Sequence, residues 1–164
     1  MCLAVYLGCD AELPPSGGEA GSLGHELASW TPEPLAHHGL VYYLGRIGSH
    51  SLECSCLLSE DVWWSDGGLR WQPDELFDSA PHDPHLELQK LCKTAIEIAG
   101  NQAVTLYCDD QGGETWSWSR TDDERCERRM ISAQGIVSGA MLFADEQGWP
   151  LRSITVVPSS TQGR

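Results

Sequence analysis

Positive charge is scarce in this sequence. Lys and Arg total 10 against 24 Asp and Glu, a formal net charge of −14. Such a field repels phosphate backbones and anionic membrane surfaces, which argues against a nucleic-acid or membrane partner. Arginine is concentrated only in "RTDDERCERR", where Arg120, Arg125, Arg128 and Arg129 face Asp122, Asp123, Glu124 and Glu127; the segment reads as solvated and self-neutralised. Long apolar runs are missing too. No segment approaches the ~20 apolar residues of a membrane span, and "LAVYLG" at the start is too short for a secretory leader and lacks a preceding positive residue. A repeating cysteine framework is also absent. The seven cysteines are odd in number and irregularly spaced, which fits a reducing cytoplasm better than an oxidising exterior.

What remains is a chain of 164 residues, 41% hydrophobic, enough for a single globular domain over 1–164 with one sizeable core. Along the opening strand Leu3, Val5 and Leu7 point one way and Ala4 and Tyr6 the other, so both faces are apolar and both expect cover. Residues 10–24 are a Pro/Gly-rich loop. "LVYYLG" from Leu40 echoes "LAVYLG" from Leu3 and predicts a second strand; "LECSCLL" from Leu52 to Leu58 alternates like a third. The tryptophan-containing stretch that follows, with Trp63, Trp64 and Trp71, reads as largely irregular.

The clearest element is a helix from Pro84 to Ala99. Asp83 can cap it, Pro84 suits its first position, and Gly100 can end it. Leu88, Leu91, Cys92, Ala95, Ile96 and Ala99 keep the spacing of one buried face. "AVTLYCDDQGGETWSWS" and "GIVSGAMLFADEQGWPLRSITVV" read as two β-hairpins with Asp/Gly-rich turns, which puts Asp109 and Asp110 at a hairpin tip. Residues 158–164 form a frayed tail. The sum is an α+β fold: a mainly antiparallel sheet of about six or seven strands with one long helix on a face.

Chemistry is invited at three places. His50, Cys54 and Cys56 in "SHSLECSC", with Cys2 from a neighbouring strand, would make a soft ligand set for zinc. Against this, alternation in "LECSCLL" sets Cys54 and Cys56 between Leu52 and Leu58 on one face, as small hydrophobes of the core. Cys2 is the second place: with Met1 removed, its own α-amino group could act as base for a thiolate nucleophile. The Met-Cys start resembles two families, the N-terminal-nucleophile amidotransferases and the domains that cross-link abasic DNA. Both begin Met-Cys-Gly; the resemblance covers two residues, and Leu3 stands where they have glycine. The third place is "TWSWS", where Trp116 and Trp118 share one strand face and could form a stacking platform for a sugar or aromatic ligand.

The sequence therefore reads as a small acidic cytoplasmic domain without evident catalytic apparatus, acting by binding a small-molecule ligand or a protein partner. A homodimer is open to it if an apolar strand lies at a sheet edge. A metal-thiolate protein and a Cys2 enzyme are the alternatives.

Overall fold

A computed structural model describes residues 3–58, 61–65, 68–72, 83–110, 129–137, 142–143 and 153–159. Eight strands and one helix are found there: β1 (Leu3–Cys9), β2 (Leu23–Leu27), β3 (Leu40–Arg46), β4 (Asp61–Ser65), β5 (Gly68–Gln72), α1 (Pro84–Ile98), β6 (Val104–Asp110), β7 (Arg129–Ser132) and β8 (Ser153–Val157). Six strands form one sheet in the order β2-β3-β1-β6-β8-β7, and β4 and β5 pair with each other. Neighbours in the large sheet run antiparallel except β7 and β8, which are parallel. The expected α+β architecture, with one helix packed on a mostly antiparallel sheet, is what the chain adopts.

Strand β1 lies inside the sheet, paired with β3 on one edge and β6 on the other. Its pleat sends Val5, Leu7 and Cys9 to the helix side. There they meet Leu44 of β3, Leu106 of β6 and Leu88, Cys92, Ala95 and Ile96 of α1, all buried. Ala4 and Tyr6 go to the opposite face and join Val41, Tyr107 and Leu35. Both faces of β1 are thus covered, as its double apolar pattern requires. Each fully buried leucine contributes roughly 1.5–3 kcal/mol through removal from water.

The helix forms where its signals lie. The Asp83 side chain accepts from the backbone N–H groups of His85 and Leu86, and Pro84 takes the first turn. At the other end Asn101 N–H bonds the Ile96 carbonyl (2.8 Å) and Gly100 N–H that of Glu97 (3.2 Å), the paired bonds of a Schellman stop. Gly100 and Asn101 accordingly have φ of 68° and 65°.

Several expectations are corrected. Residues 52–58 are not a strand: Ile47 and Leu52 make an isolated bridge and Ser55–Leu58 coil into a short 3-10 helix. Ser55 is the cause. Its hydroxyl accepts from Val5 N–H at 2.8 Å and donates to the Leu44 carbonyl, bridging β1 and β3 at their last register pair. That draws Ser55 into the core and leaves Cys54 only half-buried, the reverse of the expected alternation. The stretch read as irregular contains β4 and β5, whose register sets Ser65 opposite Gly68. Asp109 and Asp110 lie within β6, opposite Ala4 and Leu3, and the turn expected after them lies outside the described residues. The expected hairpin ending in β8 is replaced as well, since both edges of β8 are taken by β6 and β7, and Ala133–Gly135 is a 3-10 turn. Strand β2 begins at Leu23, inside the expected 10–24 loop, and β7 begins at Arg129, the last residue of the segment read as solvated.

The Ser55 bridge yields a direct test. Ser55→Ala strands a buried backbone N–H and carbonyl, so it should cost on the order of 1–3 kcal/mol. Urea unfolding should show a lower midpoint for this variant, with the exposed Ser51→Ala unchanged as control; equal midpoints would refute the clasp.

Candidate functional site

The face of the sheet away from α1 carries a row of aromatic side chains. Register aligns Glu26, Tyr43, Tyr6, Tyr107 and Ser153 laterally across β2, β3, β1, β6 and β8. Side chains so aligned share a face and touch their neighbours. The Tyr6 ring lies 5.7 Å from that of Tyr43 and 6.4 Å from that of Tyr107. Trp30, in the loop after β2, meets Tyr6 edge-on at 5.9 Å with planes 78° apart. These separations suit the tilted and edge-to-face geometry that aromatic quadrupoles favour. Tyr6 is buried, whereas Trp30 is 55% exposed and Tyr43 half-buried. Tyr43 is also fixed at its far end, its hydroxyl donating to the Glu53 carbonyl at 2.9 Å.

Two residues along the strands, on the same face, lies a polar cluster. Gly8 is opposite Val41 and Thr105, and a Cβ on it would run into the His38 ring. The absent side chain lets His38 lie on the sheet, its side chain 5% exposed and its Nε2 2.8 Å from Thr105 Oγ1. His38 Nδ1 has no hydrogen-bond partner and stands 3.8 Å from Asp10 Oδ1. That oxygen instead accepts from Gly39 N–H at 2.7 Å. A proton on Nδ1 would face the carboxylate and leave Nε2 to accept from the threonine hydroxyl. The order acid–imidazole–hydroxyl resembles a catalytic triad, but 3.8 Å is too long for a hydrogen bond and the Thr105 hydroxyl belongs to a buried residue. What the cluster accomplishes is to pin the 36–39 turn against β1 and β6.

Burial lowers the His38 pKa, helped by the charge of neighbouring His37 and opposed by Asp10. His85, buried in the first turn of α1, is lowered for the same first reason, opposed by Asp83. The core thiols move the other way: burial raises Cys9, and Cys92 is pushed up to about 12. Such thiols are protonated and inert as nucleophiles at neutral pH.

The sequence-predicted site residues are not brought together where they are described. His50 is exposed in the turn after β3, and Cys54 is a half-buried free thiol. Cys56 belongs to the 3-10 helix, with its side chain outside the described residues; Cys2, Trp116 and Trp118 lie outside them altogether. Among the described residues no group of three His, Cys, Asp or Glu is placed to hold a metal ion. The tyrosine row escaped sequence reading because it exists only through register. Its one local trace is a tyrosine at the outward phase of β1, β3 and β6. His38 and Thr105 are 67 residues apart, with nothing in the sequence to join them. No family model, curated protein or solved structure matches this chain.

Two outcomes follow. Because the folded state holds His38 and His85 below the ordinary 6.5, it binds fewer protons than the unfolded chain between that value and the lowered ones. Stability is then full above pH 6.5 and falls as pH drops through this window. Unfolding followed between about pH 7.5 and about pH 5 should show the decline, shallower in His38→Gln and in His85→Gln; slopes unchanged in both variants would sink the assignment. Separately, iodoacetamide at neutral pH should leave Cys9 and Cys92 unmodified in the native protein and label them in urea, as read by peptide mass spectrometry.

Proposed function

We propose that this protein is a binding module without its own catalysis, and that it takes a ligand or protein partner on the tyrosine face. The observation that carries this is Trp30. A ring 55% exposed, stacked edge-on over a buried tyrosine in the middle of a sheet face, keeps a large amphipathic surface in water. Recognition sites use such rings because they bury much area with little loss of conformational freedom. The polar groups nearest this face are engaged within the fold: Tyr43 with Glu53, His38 with Thr105, and Asp10 with Gly39. That leaves ring surface and exposed carboxylates as the means of recognition.

A cytoplasmic setting fits the free thiols of Cys9, Cys54, Cys92 and Cys108, the cysteines whose side chains are described. The net charge of −14 opposes a nucleic-acid partner. Pairing through the β2 edge is disfavoured by what already lies there. Leu23 N–H donates to Glu87 Oε2, and His25 N–H to Ser16 Oγ, so part of that edge is occupied.

The test is an NMR screen of the full chain with water-soluble indole, carbohydrate and amine probes. At least one probe should move the Trp30 indole and Tyr43 signals together, and Trp30→Ala should abolish that response. Responses confined to Trp116 and Trp118 would move the binding surface to those residues and overturn the assignment to the tyrosine face.

A further inference from the structure

The rim of the tyrosine face narrows what it would hold. Trp30 and Tyr43 both meet the Tyr6 ring at steep angles, 78° at 5.9 Å and 60° at 5.7 Å, and Tyr6 beneath them is 7% exposed. Trp30, 55% exposed, and the half-buried Tyr43 keep ring surface in water beside Tyr6, and the negative face of an aromatic ring attracts a cation. Opposite Tyr43 in the ladder, on the same face, stands the exposed carboxylate of Glu26. Arg46, on the strand that carries Tyr43, is paired with Glu53 at 3.3 Å and so adds little opposing field. The chain's −14 charge supplies attraction at longer range.

We infer that this face receives a basic side chain of a protein partner, a lysine or arginine seated against Trp30 and Tyr43 beside Glu26. The inference rests on the tyrosine face being a binding surface and adds the charge and source of the occupant. A polypeptide is favoured over a free amine by openness. Sites for small molecules enclose most of their ligand, whereas the outer ring here is more than half in solvent.

The test uses the full chain labelled for NMR, with the Trp30 indole signal assigned through Trp30→Phe. Three probes are titrated: a short peptide rich in lysine and arginine, the same peptide with glutamine at those positions, and tetramethylammonium. The basic peptide should move the Trp30 signal in a saturable, salt-sensitive way. Read from the Tyr43 backbone amide, the affinity should fall roughly two- to fivefold in Trp30→Ala and about two- to threefold in Glu26→Gln, while the remote Glu12→Gln leaves it near the parent value. Unmoved core signals in each variant establish that the fold is intact. Binding that bypasses Trp30 and survives Trp30→Ala reflects only overall acidity and overturns the inference. An equal response to the glutamine peptide also overturns it but leaves the binding surface standing. Tetramethylammonium binding tighter than the basic peptide replaces the protein partner with a small cation, and overturns that part.

Discussion

The pleat of β1 sorts the molecule into two layers. Val5, Leu7 and Cys9 on one side give α1 a surface to close on, and Ala4, Tyr6 and Gly8 on the other set the level of the tyrosine face. Because the side-chain period of a strand is two, a slip of one residue would exchange these sets. It would place tyrosine and glycine under the helix and leucine under the His38 turn. With partners on both edges, β1 transmits its register to β3 and β6, and through them to β2 and β8. The alignment of Tyr43, Tyr6 and Tyr107 is a consequence of that one register.

Long-range polar contacts then fasten strand ends, a short 3-10 helix and a loop to the body of the fold. Ser55 bridges β1 and β3, and Tyr42 accepts at its hydroxyl the N–H of Leu13 at 2.9 Å. Glu87 takes the N–H of Leu23 across a separation of 64 residues. Each satisfies a backbone group that would otherwise be left without a partner at a strand end or loop, where burial makes an unmet group costly. Two glycines admit crossing chain in the same way. Gly8 lies under the His38 ring, and a Cβ on Gly45 would meet the Glu53 carbonyl. The resemblance of "LAVYLG" to "LVYYLG" has its physical reason here. The two segments are antiparallel neighbours buried on both faces, and each carries a glycine where another segment passes close.

Legibility follows the range of the interaction. α1 is set by Asp83, Pro84, Gly100 and a repeating apolar stripe, all within its own length, and it was readable almost to the residue. β1, β3 and β6 are readable because each carries apolar residues on both faces over its buried stretch. Residues 52–58 misled because Ser55 answers to Val5 and Leu44, which lie far off in sequence, while the local alternation of "LECSCLL" suggests a strand. β4 and β5 carry a local signal of their own: Asp66 and Gly67, between them in sequence, are the residue types a two-residue hairpin prefers. β7 was hidden by the charges beside it. Of the candidate site, the tyrosines were visible one at a time, but their proximity, and that of His38 to Thr105, arises only from pairing.

The same division bears on what kind of recognition the face supports. A catalytic surface keeps polar groups poised toward solvent, and their desolvation is offset when substrate arrives. On the tyrosine face the imidazole of His38 is spent on fixing a turn, and the Tyr43 hydroxyl on fixing the segment that follows β3. Removing either group would first disturb the support of the rings. Ring faces need no such commitment, because attraction for a cation uses up neither a donor nor an acceptor. On the proposed reading, the ties that fix the turn and the segment after β3 make the support of the rings rigid, while the rings themselves attract positive charge. In that design specificity would come from the spacing of Trp30, Tyr43 and Glu26, which the register of three strands and one loop holds constant.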